Sequence, residues 1–584
     1  MNAGSGNNGV IRIGGIAGYF EGSGKIENCL AALSVAYNTS LYRSNVCIGG
    51  IAGETGDGTG EKIRINNGLD DNILLDNEGK NGLLIHSVTV TANVSANLNE
   101  SGFLAIGGAV GKSGQNTMKD IEFTSPSPNT GTVLFYRKNS SMGVTTNCGG
   151  IAGEASSTNI TDCSFSGVIG LIPTDSGGGD SVNCQVTIGG LAGSYSADDA
   201  GNYYINNCNV RGGIRYNSNY NKNIGGVFGF VSDKRTDPNI LNLLTISNCF
   251  LEGGKIEISG TYAVYAGGFS AFIGTAKINN SGTLGGILSV KTENGAVLAG
   301  GFTSSFSGEI SNCFSKMNVT VEAAPSIWVY AGGFTGYLEG SSSSISSCYS
   351  TGDLRASVQT PVYPACIGGF AGANGYMGEA PLYFGSFDGG TIKDCYALGN
   401  VLIDKTGEGL LYAGGFTGSF FCTSGGEIKN CFSTGQISAQ SLESNVFAGG
   451  IAGRRDTIGG TGATISNSAA LGSKVVAAAG TAWVPKTSSH GRIAGSTQEA
   501  GELIGNSANK LMQTGSGDYN GTLDYLYGDI SEIMKEYAGA TRPTSVDNTK
   551  HGLDADVLDL MNAAYWQNTL KFSSTAWDLS TPAL

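Results

Sequence analysis

The sequence predicts an all-β chain wound as a parallel β-helix, a β-solenoid of about 12–13 coils with a small, partly helical C-terminal cap. Three observations predict it. A glycine-marked pentapeptide recurs thirteen times, a tetrapeptide ending in Cys or Ser follows it in most repeats, and apolar residues recur at fixed offsets from both. The expected boundaries are a tail at 1–9, the solenoid at 10–507 and a capping segment at 508–584.

The pentapeptide is Gly-Gly-[apolar]-[usually small]-Gly. Its copies begin at Gly14, Gly49, Gly107, Gly149, Gly189, Gly225, Gly332, Gly368, Gly414 and Gly449, with weaker ones at Gly267 and Gly300 and a decayed one at Gly491. Glycine allows positive φ and close backbone approach, so a bend or tight wall is expected at each pair. The competing reading, a phosphate cradle, needs a helix to follow the glycines. No helical pattern follows them. Gly4-Ser5-Gly6-Asn7-Asn8-Gly9 matches a dinucleotide fingerprint, but no strand precedes it and a strand-like segment follows.

The tetrapeptide is Ile-x-[Asn/Asp/Ser]-[Cys/Ser]. It ends at Cys29, Cys163, Cys208, Cys249, Cys313, Cys348, Cys395 and Cys431, and with Ser at Ser281, Ser468 and Ser507. A third apolar segment closes many repeats, as in Leu354-Arg355-Ala356. Each repeat thus offers about three short strands, enough for one coil, and a coil must stack to bury its apolar face. Thirteen coils about 4.8 Å apart would make a rod of roughly 60 Å. Val46, Val264, Val297, Val329 and Val446 hold one repeat position, which predicts ladders of like residues.

The 13 cysteines are an odd number, so at least one is unpaired within the chain. Eight share one repeat position, where Ser substitutes three times, which fits a small-residue packing column better than bridges or metal ligands. Cys47 and Cys366 form a second equivalent pair, two residues before Gly-Gly. There is no Cys-x-x-Cys and there are three His, so a zinc site is not expected. The Asn preceding the cysteine (Asn28, Asn207, Asn248, Asn312, Asn430) reads either as a turn residue or as an amide ladder.

Composition agrees with this fold. The 584 residues include 94 Gly and 11 Pro, and charged residues are 14%, against roughly 25% in ordinary soluble domains. With 40% hydrophobic residues the chain is not a disordered one. The net charge of −14 and the lack of a basic run argue against nucleic acid and anionic membranes. Arg454-Arg455 is followed at once by Asp456. No apolar stretch is long enough to cross a membrane. Met1–Val10 has neither a basic start nor an apolar stretch, so an export signal is expected upstream of it.

Candidate surfaces are departures from the repeat, because ligand contacts favour loops on a rigid scaffold. One insertion holds Asp70, Asp71, Asp76 and Glu78, whose spacing fits no EF-hand loop. Another holds Tyr376, Tyr383, Phe384 and Phe387. A third patch is Tyr203, Tyr204, Tyr216 and Tyr220. Near the C-terminus, Asp529 and Glu532 resemble a capping box before Ile530, Ile533, Met534 and Tyr537. A second helix is expected near Asp554, presenting Val557, Leu560, Met561 and Ala564. An open solenoid end needs such a cover.

The recurring pentapeptide resembles the GLUG motif, most closely at Gly190-Leu191-Ala192-Gly193, over roughly residues 10 to 510. The ending Tyr565-Trp566-Gln567-Asn568-Thr569-Leu570-Lys571-Phe572, with Trp577-Asp578-Leu579, is similar to segments that follow such repeats in Bacteroides-type surface proteins. The resemblance implies an exported surface protein, adhesin-like or a non-catalytic stalk of a metallopeptidase, and supplies no catalytic residues. The expectation is an extracellular, monomeric scaffold for a glycan or protein ligand, with no catalytic, cofactor-binding or metal residues. No His-Glu-x-x-His or Gly-x-Ser-x-Gly is present, and His86, His490 and His551 lie in unrelated contexts. The alternative is a β-helix polysaccharide lyase or glycoside hydrolase, with acids such as Asp353, Asp388 and Asp394 paired across coils.

Overall fold

In the computed structural model the described residues run from 10 to 577, leaving out 21–24, 28, 32–34, 40–44, 56–83, 91–93, 99–102, 115–116, 125–132, 138–144, 172–184, 199–200, 218–220, 235–243, 376–387, 423–424, 458–461, 482–485, 499–501, 518–522, 526–552, 561 and 575. The chain divides into two compact units, Met1–Ile287 and Leu288–Leu584. Each is a parallel β-solenoid. In the first, Gly14, Gly49, Gly107, Gly149, Gly189, Gly225 and Gly267 stand in one register. In the second, Gly300, Gly332, Gly368, Gly414, Gly449 and the decayed copy at Gly491 do the same.

A coil has five strands where the sequence marked three. One coil of the second unit runs Val329–Gly332, Thr335–Leu338, Ser344–Ser346, Tyr349–Ser350 and Leu354–Gln359. Each pairs in parallel with its equivalent in the next coil. Two turns split what the sequence showed as continuous. The Gly-Gly turn separates the first two strands. A left-handed residue directly before the cysteine slot separates the third from the fourth: Asp162, Asn207, Asn248 and Asn280 in the first unit, Asn312, Ser347, Asp394, Asn430 and Asn467 in the second. Asn and Asp tolerate this conformation better than other non-glycine residues. The turn reading holds at Asn207, Asn248, Asn312 and Asn430, and Asn28 lies outside the described residues. Side chains at this position also bond between coils, from amide to carboxylate rather than as an amide ladder. Asn207 Nδ2 donates to Asp162 Oδ1 at 2.6 Å, and Asn430 Nδ2 to Asp394 Oδ1 at 3.2 Å.

The glycine pairs form the expected tight wall, but none of them uses positive φ. Close approach is the reason for glycine. A Cβ on Gly369 would lie 2.2 Å from the Gly415 carbonyl oxygen of the next coil, and one on Gly368 would lie 2.2 Å from the Ala371 oxygen.

The core is a set of single-residue columns. The isoleucine of the tetrapeptide runs Ile310, Ile345, Ile392, Ile428, Ile465 and Leu503 in the second unit. The apolar residue after Gly-Gly forms the stack Phe302, Phe334, Phe370 and Phe416, with successive ring centroids 4.7 Å apart. The valine position is Val297, Val329, Ala365, Leu411 and Val446 in the second unit. In the first it is Val46, Leu104, Thr146, Val186, Lys222 and Val264, so a lysine stands in an apolar column.

At the C-terminal side the solenoid passes the expected boundary at 507. Ser507–Asn509 and Gln513–Gly517 pair with Ala469–Ala470 and Lys474–Ala479. Leu553–Ala555 then adds a strand beside Ser507–Asn509. The expected second helix is one turn, Val557–Leu560, and its start is capped reciprocally by Asp556 and Asp559. Leu560 is buried as expected, while Ala564 is exposed. The side chains of Val557 and Met561, and the capping box at Asp529 and Glu532, lie outside the described residues.

Candidate functional site

The Gly-Gly turn is so narrow that it brings two outward columns face to face. One is the residue two before the pair; the other is five residues after the first glycine. In the first unit this corner is polar in the early coils and aromatic in the last ones, where Tyr265 stands before the glycine pair and Phe230 stacks on Phe272 at 5.0 Å after it. Arg12 pairs with Glu54, Lys112 with Glu154 at 3.4 Å, and Asn147 Nδ2 donates to Glu154 at 2.8 Å. Burial pushes the Cys47 thiol there up to about 12, with Glu54 and Glu154 adding and Lys112 and Arg12 opposing.

In the second unit the same corner is aromatic. The column before the pair reads Leu298, Tyr330, Cys366, Tyr412 and Phe447. The facing column reads Ser305, Tyr337, Ala373, Ser419 and Arg454. Trp328 stacks on Tyr330 at 5.1 Å. The Arg454 guanidinium lies 3.9 Å from the Phe421 ring centroid and 5.3 Å from that of Tyr412, and its Nη2 donates to Asp456 at 3.1 Å. Tyr330 and Tyr337 are fully buried, whereas Arg454 and Phe447 are half-buried. Burial pushes the Cys366 thiol up to about 12, against the pull of Arg454 and Ser419. Burial also raises Tyr337, with Glu339 adding. These shifts keep the thiol and the phenols protonated at neutral pH. The corner is therefore a mostly buried aromatic stack ending in the half-buried Phe447 and Arg454, not a nucleophile with its base.

A second outward column follows the cysteine: Phe314, Tyr349, Tyr396 and Phe432, stacked at 4.9–5.3 Å. Rings stacked along the coil axis present edges outward, so their faces are already occupied and a sugar ring finds none to stack on. Ala469 and Ser507 continue the column, leaving a recess. Leu570, Phe572, Trp566 and Trp577 pack there against Phe432 and Ala469. Trp577 Nε1 donates to Asp394 at 3.3 Å, and the Tyr565 hydroxyl to Ser507 at 2.8 Å. The C-terminal segment thus lies along the flank of the last coils as well as beside their final strand.

The sequence-marked residues fall apart rather than together. Tyr203 and Tyr216 are buried, Tyr204 is half-buried, and Tyr220 lies outside the described residues. So do Asp70, Asp71, Asp76, Glu78, Tyr376, Tyr383, Phe384 and Phe387. Asp353 belongs to a coil-to-coil chain in which Asn400 donates to it through both N and Nδ2, at 2.9 and 3.1 Å. Asp394 accepts from Asn430 and Trp577 at a different turn. Asp388 sits near Cys422, at the corner after the second strand. Among the described residues no three His, Cys, Asp or Glu side chains gather as a metal-holding group. The aromatic corner went unread in the sequence. Its signal was there, as an aromatic two residues before Gly-Gly in Tyr330, Tyr412 and Phe447.

Fold and corner together define a class: a parallel β-solenoid repeat protein whose inner and outer surfaces are single-residue ladders. Comparison with family models, with curated proteins and with solved structures finds no match for the chain.

Proposed function

We propose that this chain is a surface scaffold of the GLUG-repeat kind, adhesin-like and exported, which displays variable segments to a glycan or protein ligand. The reading is supported by where length variation falls. The Gly-Gly turn and the left-handed turn keep their lengths from coil to coil. Two long insertions, 56–83 and 376–387, join the second strand of a coil to its third: Ala52–Thr55 to Leu84–Val90, and Ala371–Gly375 to Thr391–Lys393. A third, 172–184, joins the last strand of a coil to the first of the next, Ser164–Leu171 to Gln185–Gly189. Variable segments on a constant scaffold are how solenoids commonly build a binding face. The carboxylates offered for a lyase or hydrolase lend that alternative little support, because Asp353 and Asp394 are engaged in separate coil-to-coil contacts.

The test is a glycan and protein array probed with the chain and with a Tyr383→Ala/Phe384→Ala/Phe387→Ala variant. The expected result is a ligand retained by the parent and lost by the variant at unchanged melting temperature. Cleavage of an arrayed glycan, or identical binding by the two proteins, overturns the reading.

A further inference from the structure

The cysteine column of the second unit has a geometry that packing alone does not require. Cys313, Cys348, Cys395 and Cys431 occupy one position in four successive coils, all fully buried and none of them in a disulfide. Neighbouring rungs touch. The Cys313 N–H donates to Cys348 Sγ at 3.3 Å, and the Cys348 N–H to Cys395 Sγ at 3.4 Å. Each thiol donates to the carbonyl two residues before it, at 3.1–3.2 Å, so the four sulfurs are held alike. Their repeat is therefore the strand spacing, about 4.8 Å. Two metal–thiolate bonds of about 2.3 Å placed in line span about 4.6 Å. The column cannot gather around one point the four ligands of tetrahedral zinc, nor the three protein ligands of an open zinc site. It does place sulfurs in pairs at the separation that linear two-coordination requires. Ser468 and Asn506, harder donors, end the series.

We propose that this column binds a soft monovalent cation, Cu(I) or Ag(I), held two-coordinate between sulfurs of successive coils. Four sulfurs make three such positions. Each ion displaces one thiol proton, forms one metal–thiolate bond and accepts a lone pair from the next sulfur, and the proton leaves to solvent. No electron is transferred. One positive charge replaces another, so the buried column stays neutral. A divalent ion can also stay neutral by displacing both thiol protons of a pair, but zinc requires further ligands that the column does not supply. Soft sulfur donors also favour Cu(I) over harder ions.

The experiment is an anaerobic titration of the full chain with silver nitrate and, separately, with Cu(I) supplied in acetonitrile. Ions bound, protons released and the near-ultraviolet thiolate–metal absorption are read together. Cys348→Ser/Cys395→Ser is compared with Cys431→Ser; Ser is the native occupant of this slot at Ser468 and Ser281, so both variants keep its polarity and size. The parent is expected to bind three more ions than the double variant and one more than Cys431→Ser, releasing about one proton per ion. Equal uptake by all three proteins, or uptake only with loss of the β-sheet signal, overturns the proposal. Neither outcome bears on the surface-scaffold reading.

Discussion

At the scale of the residue, two kinds of glycine separate cleanly. Gly369 has ordinary φ but no room, since its Cβ would strike backbone of the next coil. Gly253 has room, with nothing within 4 Å of a built Cβ, but φ of +56°. Gly369→Ala is expected to cost at least about 3 kcal/mol, since backbone must move. Gly253→Ala is expected to cost about 1 kcal/mol, the strain of a left-handed alanine. Urea unfolding of the two variants checks the order, and comparable losses would contradict the steric account. Lys222 is the other telling residue. It is 0% exposed, and its Nζ has no hydrogen-bond partner. Burial lowers its pKa to about 8 from 10.5. Between these values the unfolded chain holds the proton more tightly than the folded one. The Lys222 contribution to stability therefore rises with pH from about 8 to about 10.5, against the opposite contribution of buried thiols such as Cys47 and Cys366, and its full penalty, about 3 kcal/mol, applies below pH 8. Lys222→Met is expected to raise stability at pH 7 and to remove that rise. Unfolding free energies of parent and variant at pH 7 and pH 10 test it; a parallel pH response in both would refute it.

At the scale of the element, the C-terminal segment is held by both backbone and side chains. Its described strand pairings with the solenoid are Leu523–Tyr525, antiparallel to Gln513–Gly517, and Leu553–Ala555, parallel to Ser507–Asn509. Beyond that, Trp566, Phe572 and Trp577 fill the recess left where the outward aromatic column falls to Ala469 and Ser507. Trp577→Ala removes a ring that meets Tyr396, Phe432 and Phe572 at centroid distances of 5.9, 5.6 and 5.1 Å. The expected result is early proteolytic release of the segment while the repeats resist cleavage, as for a locally opening element. Digestion followed by mass spectrometry reads it directly; cutting spread evenly over the chain would show that the segment and repeats unfold together.

At the scale of the whole molecule, each unit gains stability chiefly from nearest-neighbour contacts between coils. None of the twelve described cysteines is in a disulfide. Alkylation in denaturant without reductant is therefore expected to add at least twelve labels. A mass shift of only one or two labels would replace the column by a disulfide framework.

Much of this was legible because a solenoid repeats its environment: a position that meets the same neighbours in every coil keeps the same residue type. The glycine pairs gave the register, and the valine, isoleucine and cysteine positions gave the columns. Where the repeat decayed, reading by motif slipped. Ile504 and Ser507 matched the tetrapeptide, yet Leu503 fills the isoleucine column and Asn506 the cysteine slot. Val88 and Ile121 hold that slot in coils where no motif was visible. What only the tertiary structure decided is which residues from different strands of a coil face one another. The aromatic corner joins positions on two strands across a turn, and the recess under Trp577 joins residues more than a hundred positions apart. Sequence periodicity reports what stacks along the coil axis, where neighbours are equivalent. Contacts around the coil, and contacts from a segment used once, are between unlike positions and leave no period to read.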